Sequence, residues 1–419
     1  MLSQADNELL CRIGPGTTMG AVFRRFWHPV CLSEQLPKPD CDPVRVEVLG
    51  ERLVAFRSTD GTLGLLDEAC PHRGVSLALG RNEGNGLRCL YHGWKFAADG
   101  TILDMPNCPD VALRQRLKAN TYPVREGGGF LWAYLGPPDK MPPFPKWRFL
   151  DVPVANMRVN RIDADVNYMQ QLEGGADTSH VGILHSNFAR PGWMTGAFNA
   201  NTDQDNPAAL VTGDLAPALL LEDTAFGFHY AAIRQLPSDD ADGRRNIRVV
   251  PIIMPSTRII PSPAVQFIIF EVPMNDTRTA TFAASYRLDG EPVDQWKLNE
   301  MSGRHNPELF CEASHRYLGT WDNRFGQNRE RMAEDWSGIK GVVMEDMAMA
   351  MSQGAIADRS KEHLVPADQA VVRARRQLLE SARRVAQGGD PIGVEVDVST
   401  IRAIDATVPG NIRWQDLVQ

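Results

Sequence analysis

The sequence predicts a two-domain α+β protein, in which a small all-β domain precedes a larger domain of antiparallel sheet and helices. A chain of 419 residues is too long for a single ordinary core, so two domains are expected. Short apolar runs with frequent turns fill the early part of the chain, whereas longer alternating runs and helical patterns follow. The proline-rich segment 136–145 separates the region of short strands from the region of longer strands and helices, and it is the predicted domain boundary.

The chain begins with helical patterns and continues with short strands. Residues 8–27 are amphipathic with a break at 14–16, after which Thr17 or Thr18 caps a predicted helix Met19–Trp27. We therefore expect a helical segment 1–28 that packs on the second domain, and a β domain 29–138. Strands of the β domain are predicted at Val44–Val48, Leu53–Phe56, Thr62–Leu66 and Phe130–Tyr134.

Residues 139–419 are predicted to form a curved antiparallel sheet with helices on one side. Its strands are expected at Met157–Ile162, Leu219–Gln235, Arg248–Arg258, Ala264–Pro273 and Ala280–Tyr286. Helical patterns cover residues 177–185, 291–302, 329–352 and 366–386. The last of these has proline at its first turn and two glycines after its end, as is typical of a helix.

Composition and charge exclude several classes of function. The net charge is −8 and no basic run is present, so nucleic acid is not an expected partner. The N-terminus lacks a signal-peptide pattern, and prolines interrupt the most apolar region, 249–270, so no membrane span is expected. Seven cysteines without a secretion signal favour a reducing cytoplasm over a disulfide framework.

Two cysteines and two histidines form the first metal-binding pattern. Cys70-Pro-His72 and Cys89-Leu-Tyr-His92 each place two ligands on one tight turn, so that two turns can clamp a metal centre. Two thiolates and two imidazoles suit either a structural zinc ion or a two-iron cluster whose second iron takes histidines. Each half continues with a glycine, which permits a tight loop whose N–H groups can point at cluster sulfurs. The Cys-x-His half is unusual for a zinc finger.

A second candidate centre lies in the segment that contains Asp177, His180 and His185. On a regular helix the two histidines would differ by about 140° around the axis, which is too much for one metal ion. A π-bulge or a break near Gly182 would bring them together. Two imidazoles then need one carboxylate to form the facial triad of a non-heme Fe(II) site.

The missing carboxylate is predicted in the apolar helical stretch 341–351. Val342, Asp346, Met349 and Gln353 share one helix face, where a buried carboxylate is costly unless it is paired or bound to a metal. Glu345 lies about 100° away and could instead be the exposed acid. A lone aspartate on a helix is usually solvated, so the prediction of Asp346 depends on the two histidines.

The cysteine and histidine pattern closely resembles the Rieske motif of the aromatic-ring-hydroxylating oxygenases. The segments that carry the resemblance are Cys70-Pro-His-Arg-Gly and Cys89-Leu-Tyr-His-Gly-Trp-Lys-Phe. It implies that a [2Fe–2S] cluster is bound by Cys70, His72, Cys89 and His92. Respiratory Rieske proteins carry a further cysteine in each half, whereas Val75 and Tyr91 stand here, so the resemblance is to the lower-potential oxygenase kind.

The second motif resembles that of the oxygenase α subunits, in the phthalate dioxygenase-like branch of the Rieske non-heme iron oxygenases. Asp177-x-x-His180-x4-His185 matches the family pattern and implies that the two histidines bind a mononuclear Fe(II). The Glu345-Asp346 pair and residues 351–363 look like the corresponding segment of that branch, which implies that Asp346 is the third ligand. The resemblance extends over nearly the whole chain and implies a catalytic domain of helix-grip type.

One position departs from the family pattern. Many members carry an asparagine three residues before the aspartate of the motif, where this chain has Gly174. Asn167 and Gln171 are the candidates to take over a role of that side chain near the iron.

The resemblance also implies how the two centres are connected. In the family they are far apart within one chain, and electrons cross between neighbouring subunits of a head-to-tail trimer. Asp177 is then expected to bridge His180 to His92 of the partner subunit, in a homotrimer or a stacked hexamer. No Gly-x-Gly-x-x-Gly nucleotide loop follows a strand, so NAD(P)H is implied only through a separate reductase with a flavin and a ferredoxin-type centre.

The expected function is that of a terminal oxygenase that uses O2 and reductase-supplied electrons on an aromatic substrate. A phthalate-like acid or an aryl ether, oxidised by dihydroxylation or by oxidative dealkylation, fits the resemblance. The predicted pocket positions are Met169, Leu172, Leu184, Phe188, 230–234 and 249–253, with Arg190, Arg234 and Arg248 as candidates to hold a substrate carboxylate. The alternatives are a Rieske electron-transfer protein with an apolar ligand-binding domain and no oxygen chemistry, and a zinc-stabilised binding module.

Overall fold

The structure is a computed structural model that describes residues 2–189, 214–235, 243–262 and 265–418. Within these ranges the helices are α1 Gln4–Cys11, α2 Thr18–Phe23, α3 Val111–Arg116, α4 Tyr168–Ala176, α5 Ser179–Leu184, α6 Gln295–Ser302, α7 Val342–Ser352 and α8 Gln369–Ala386. Among the described residues, no helix has the length and the apolar character that crossing a membrane requires.

The β domain consists of ten short strands, all within the fully described stretch 27–134. They are β1 Trp27–Leu32, β2 Val44–Val48, β3 Glu51–Arg57, β4 Leu63–Asp67, β5 Arg81–Glu83, β6 Gly86–Arg88, β7 Lys95–Phe96, β8 Ile102–Asp104, β9 Val124–Gly127 and β10 Phe130–Tyr134. They form antiparallel sheets in the orders β1-β10-β9, β2-β3-β4 and β5-β6-β7-β8. The prediction of a small all-β domain is confirmed.

The second domain is built on one large sheet, which has ten strands within the described ranges. They are β11 Met157–Ala164, β12 Ala218–Thr224, β13 Gly227–Gln235, β14 Arg244–Ile253, β15 Thr257–Ile260, β16 Gln266–Asn275, β17 Arg278–Tyr286, β18 Phe310–Cys311, β19 Arg316–Tyr317 and β20 Ile404–Pro409. Their order is β12-β13-β14-β15-β16-β17-β11-β19-β18, with β20 added beside β14. Helix α4 packs on β16 and helix α8 on β13, which confirms the predicted combination of sheet and helices.

Several predicted elements are shorter than expected, because turns interrupt them. The strand predicted at Leu219–Gln235 is a hairpin that reverses before Gly227, where a side chain would collide with the carbonyl oxygen of Ile252 at 2.2 Å. The strand predicted at 248–258 is divided between β14 and β15 at Pro255. The helix predicted at 329–352 begins only at Val342, after Gly341 with a φ of 104°.

The first predicted helix also ends early, at Phe23 rather than Trp27. Trp27 instead opens strand β1, whose pairing with β10 satisfies the backbone groups of this segment. Thr17 caps α2 by accepting a hydrogen bond from the N–H of Gly20 at 3.1 Å, as the sequence predicts. Tertiary strand pairing therefore overrides a helical pattern at its C-terminal end.

Aromatic side chains join the two domains into one core. Phe130 and Trp132 of β10 contact Phe270 of β16, and Phe130 also contacts Phe282 of β17, all edge to face. The turn between β2 and β3 adds a backbone bond from the N–H of Leu49 to the carbonyl of Pro273 at 2.8 Å. Helices α1 and α2 pack on α8, so the N-terminal segment closes over the C-terminal helix.

Candidate metal centres

Two loops of the β domain have the same backbone geometry and face each other. In the first, the N–H of Cys70 donates to the carbonyl of Val75 at 2.8 Å, and the N–H of Gly74 donates to the carbonyl of Cys70. In the second, the N–H of Cys89 donates to the carbonyl of Trp94 at 2.8 Å, and the N–H of Gly93 donates to the carbonyl of Cys89. Both glycines have a positive φ, of 74° and 77°, which side-chain-bearing residues rarely adopt. The two halves of the sequence motif are thus two equivalent tight loops.

The four predicted ligands converge between these loops. The rings of His72 and His92 have their centroids 4.5 Å apart, and the buried thiols of Cys70 and Cys89 are neighbours. Burial and the second thiol raise the pKa of Cys70 to about 11, so thiolates at this place require a bound cation. Nδ1 of His92 is buried and has no hydrogen-bond partner among the described residues. Two cysteine sulfurs and two imidazoles are the ligand set of a Rieske cluster, and the buried Nδ1 of His92 is available to bind its iron.

The second cluster of ligands begins at the break between helices α4 and α5. Asp177 ends α4 in an extended conformation, and α5 then runs from Ser179 to Leu184. His185 follows directly, with φ −96° and ψ 24°, so it lies just beyond the end of the helix. Its ring comes to 5.2 Å from the ring of His180. The predicted break near Gly182 is therefore wrong in position: the helix passes through that residue and ends before His185.

Asp346 of helix α7 completes this cluster. Its Oδ1 lies 3.0 Å from Nε2 of His185 and 3.6 Å from Nε2 of His180. One ligand atom from each of the three residues lies within 4.8 Å of the others. Two imidazole nitrogens and one carboxylate oxygen on one side of a site fit a non-heme iron that keeps open positions for other ligands.

Each histidine has a second carboxylate at its other ring nitrogen. Oδ2 of Asp177 lies 3.4 Å from Nδ1 of His180, and Oε2 of Glu345 lies 2.7 Å from Nδ1 of His185. Burial alone would lower the pKa of both histidines, but the surrounding carboxylates outweigh it. The pKa of His180 rises to about 9 and that of His185 to about 10. Partial desolvation by the surrounding protein would raise the pKa of Asp346, but the same two histidines outweigh this effect and lower it. This concentration of negative charge suits a cation.

The relative exposure of the two acids on α7 is the reverse of the expectation. Glu345 is buried, at 2% exposure, whereas the side chain of Asp346 is 43% exposed. The face shared by Asp346, Met349 and Gln353 is the open face of the helix, and Glu345 points inward to His185. Sequence reasoning missed the contact of Glu345, although the adjacent Glu-Asp pair was the available signal.

Neither candidate for the absent asparagine replaces it in the expected way. Asn167 caps α4 and donates to the carbonyls of Cys11 and Asp276, so it is fully used by the fold. Gln171 donates to the sulfur of Met347 at 2.8 Å, next to Asp346 in sequence. A Cβ added at Gly174 would meet no atom within 4 Å. The position is therefore an open space beside the site.

Several of the predicted pocket positions are core residues, and others lie outside the described residues. Met169 and Leu172 are fully buried in the main core, as are the side chains of Tyr230 and Val250. Arg190 and the side chain of Phe188 lie outside the described residues. Apolar residues of sheets and helices are usually buried because they pack in the core, so their apolar character does not identify a substrate.

Two of the three arginine candidates can be compared directly. Arg248 is paired with Asp405 at 2.8 Å and also donates to the carbonyl of Pro261, so it is not available for a substrate carboxylate. Arg234 is 1% exposed, and its Nη2 lies 3.3 Å from the hydroxyl of Thr178, next to Asp177 in the chain. Its Nη1 has no partner among the described residues, and burial lowers its pKa. Its Nε donates to the carbonyl of Asp214 at 3.4 Å, so within the described ranges the guanidinium has hydrogen bonds but no carboxylate partner, and an anion could bind to it.

Comparison with known proteins agrees with this geometry. Residues 26–123 match the family model of the Rieske [2Fe-2S] domain, and residues 133–419 match the model described as LigXa C-terminal domain like. The phthalate 4,5-dioxygenase oxygenase subunit of Pseudomonas putida is 39% identical, over 99% of this chain and 94% of the relative. The 3-chlorobenzoate-3,4-dioxygenase oxygenase subunit of Comamonas testosteroni is 35% identical, over 98% of this chain and 96% of the relative.

A solved structure supports the fold. NdmA of Pseudomonas putida CBB5, in complex with caffeine, superposes with a TM-score of 0.59 at 19% identity, over 95% of this chain and 99% of that one. The first domain is thus a Rieske [2Fe–2S] domain, and the histidine and aspartate cluster of the second domain is a candidate site for the mononuclear iron that Rieske oxygenases use. The chain belongs to the oxygenase subunits of the Rieske non-heme iron oxygenases, in the phthalate dioxygenase-like branch.

Proposed function

We propose that this chain is a terminal oxygenase that oxidises a substituted aromatic acid with O2. One observation carries the proposal: three ligand atoms from distant parts of the chain lie within 4.8 Å of one another. The buried Arg234 contacts Thr178, next to Asp177 in the chain, and its Nη1 has no partner in the part of the chain that the structure describes. In this proposal the cluster is held by Cys70, His72, Cys89 and His92, and the mononuclear iron by His180, His185 and Asp346. The iron, when bound, supplies the redox chemistry with O2 that no side chain can provide. Residues 29–138 then carry electrons, and residues 139–419 hold the substrate.

The role proposed for Asp177 is to connect two subunits. Its side chain is partly exposed, so it can contact His180 of its own chain and His92 of the partner subunit. Large apolar side chains surround the tip that carries His92, where Leu90 is 59% and Tyr91 53% exposed. Exposed apolar side chains around a functional tip favour a protein partner. These observations support a homotrimer, or a stacked hexamer, in which the Rieske tip of one subunit meets the iron site of the next.

Electrons are proposed to come from a separate reductase with a flavin and a ferredoxin-type centre, which uses NAD(P)H. Both relatives are named as the oxygenase subunit of a dioxygenase, which indicates that further components act with them.

The substrate class is inferred from Arg234. Phthalate and 3-chlorobenzoate, named for the two relatives, are both aromatic acids. A guanidinium with a free Nη1 beside Thr178 can hold one carboxylate by a charge-assisted hydrogen bond and so orient the ring toward the iron site. The remaining substituents of the ring decide between dihydroxylation and oxidative dealkylation.

A substrate screen with a surrogate reductase and 18O2 tests the proposal. Phthalate, halogenated benzoates, phenoxybenzoate and methoxybenzoates are offered in turn, and products are analysed by mass spectrometry. A labelled cis-diol indicates dioxygenation, whereas an aldehyde together with an unlabelled phenol indicates dealkylation, because the inserted oxygen leaves with the aldehyde. Reoxidation of the cluster without a diol, a phenol or an aldehyde from any acid would overturn the proposal in favour of an electron-transfer protein.

A further inference from the structure

The two histidines of the iron site are held in different ways. Nδ1 of His180 is 3.4 Å from Asp177, and both side chains are partly exposed. Nδ1 of His185 is only 2.7 Å from Oε2 of Glu345, and both of these side chains are buried. His185 is therefore fixed inside the protein, whereas His180 faces the surface that we assign to a partner subunit.

Glu345 is itself held in place by a second hydrogen bond. The hydroxyl of Ser337 donates to its Oε1 at 2.5 Å, so each carboxylate oxygen has one donor. The same hydroxyl oxygen accepts the backbone N–H of Ile339 at 3.0 Å, which fixes the position of Ser337. A buried carboxylate with both oxygens bound has one orientation available, because rotation would break both bonds.

The loop that carries Ser337 is also fastened to the segment after His185. Asp335 accepts hydrogen bonds from the side-chain amide of Asn187 and, at 3.1 Å, from the backbone N–H of Gly338. Arg331 pairs with the other oxygen of Asp335 at 3.0 Å. Residues 185–187 and 335–345 are therefore joined at two points, one of which is the histidine itself.

This arrangement determines which ring nitrogen of His185 keeps its proton when a metal ion binds. A carboxylate only accepts hydrogen bonds, and Oε1 already accepts that of Ser337, so Nδ1 of the imidazole donates to Oε2. A neutral imidazole then has its lone pair on Nε2. That nitrogen faces Oδ1 of Asp346 at 3.0 Å, and a metal ligand must present a lone pair there.

We propose that Glu345, held by Ser337, is a positioning residue that fixes the tautomer and the ring orientation of His185. This inference rests on the proposed function, since it requires His185 to be an iron ligand. Carboxylates that accept a hydrogen bond from a ligand histidine strengthen metal binding, and their loss weakens it by about 10- to 100-fold. Glu345 does not touch the substrate or the reacting atoms in this role.

Cobalt(II) binding tests the proposal without any turnover. The mononuclear site is depleted of iron while the cluster is retained, and the cobalt(II) ion alone is titrated by calorimetry and by its visible ligand-field spectrum. Glu345→Gln keeps the size of the side chain but removes the charge and allows the amide to present N–H to Nδ1. We expect its cobalt affinity to fall by about 10- to 100-fold with an altered spectrum. Glu345→Asp keeps the charge, so its cobalt(II) affinity should lie between that of the wild type and that of Glu345→Gln.

Controls separate positioning from folding. Glu312→Gln changes an exposed glutamate and should bind cobalt(II) like the wild type. If Glu345→Gln fails to fold, as judged by loss of the cluster absorption, Ser337→Ala provides the test, because it removes only one donor of the carboxylate. Ser337→Ala should weaken cobalt binding by a smaller factor in the same direction.

Two failures are distinguishable. If the wild type binds no cobalt(II) at a one-to-one ratio that depends on Asp346, the proposed iron site itself is wrong. If the wild type binds cobalt(II) and both Glu345→Gln and Ser337→Ala match its affinity and spectrum, the positioning role is wrong and the iron site stands.

Discussion

One oxygen of Asp177 is bound to Ser179 at the start of α5, and the other lies against His180. Oδ1 accepts hydrogen bonds from the backbone N–H and from the hydroxyl of Ser179, both at 2.7 Å. Oδ2 lies 3.4 Å from Nδ1 of His180. Because the first oxygen anchors the carboxylate at the start of α5, the second is presented to the imidazole in a fixed position.

We expect Asp177→Asn to retain both iron centres and to lose electron transfer between them. Asparagine keeps an oxygen for Ser179 but offers a weaker, neutral partner to His180. Single-turnover reoxidation of the reduced cluster, with substrate and O2 present, should slow by about 100-fold, in line with losses at such carboxylates.

Ser179→Ala is the matched control for this change. It removes one of the two bonds to Oδ1 and leaves Oδ2 untouched, so reoxidation should stay near the wild-type rate. A normal reoxidation rate in Asp177→Asn would remove this residue from the electron path.

We expect Asp346→Asn to lose the mononuclear iron and to keep the cluster. The carboxylate is the only negative ligand of the proposed site, and its neutral amide would compete poorly for Fe(II). The ratio of total iron to cluster absorption measures the loss. Asp358→Asn, which changes an exposed aspartate paired with Lys361, should leave that ratio unchanged. Full iron in Asp346→Asn would contradict the ligand assignment.

Much of the fold and the site could be predicted from local sequence signals. Strands β2 and β10 begin and end where alternation predicts, and the ligand spacing around Cys70 and Cys89 forms two equivalent loops. These features depend on residues that are close in sequence, where turn chemistry and side-chain period act directly.

The remainder depends on contacts between distant segments, which one sequence does not display. The inward direction of Glu345 follows from its contact with His185, 160 residues away. The early end of α2 follows from the pairing of Trp27 with Tyr134 in β10. Helical angles place these residues relative to their own helix but not relative to the rest of the chain.

We expect Arg234→Gln to raise KM for an aromatic acid by about 10- to 100-fold. A hydrogen bond to a charged group contributes about 1.5–3 kcal/mol, and Nη1 of Arg234 has no other partner among the residues that the structure describes. The KM for an uncharged analogue of the same ring should not change. Arg248→Gln is the control, because this arginine is already paired with Asp405 and should leave the discrimination between acid and neutral analogue intact. If the ratio of the KM for the acid to the KM for the uncharged analogue is the same in Arg234→Gln and in the wild type, Arg234 does not contact the substrate carboxylate.

We expect Gly174→Asn to fold normally and to stabilise the protein slightly. No atom lies within 4 Å of an added Cβ, and glycine inside a helix costs about 0.5–1 kcal/mol relative to alanine, of which asparagine, a weaker helix former than alanine, recovers a part. Thermal unfolding of the holoenzyme measures the change. Gly175→Asn is the contrasting variant, because its Cβ would collide with Nε of Arg258 at 2.1 Å and should lower the melting temperature. A similar loss in both variants would show that Gly174 is required for another reason.

Acid should destabilise the protein partly through His28. This histidine is buried between the domains, and its Nε2 donates to the carbonyl of Phe23 at 2.8 Å. Burial lowers its pKa to about 4, against 6.5 for the exposed side chain, so below pH 6.5 the unfolded chain binds a proton that the folded chain does not. Stability is therefore lost as the pH falls from 6.5 toward 4, by about 3 kcal/mol in total.

Replacing His28 by glutamine isolates this contribution. The amide can still donate to the carbonyl of Phe23 but does not titrate, so the melting temperature of His28→Gln should fall less between pH 7 and pH 4.5 than that of the wild type. His305→Gln changes an exposed histidine and should follow the wild-type curve. Parallel curves for the wild type and His28→Gln would show that the imidazole is protonated or solvated in the folded protein, and that the β1 segment is less tightly closed than its burial indicates.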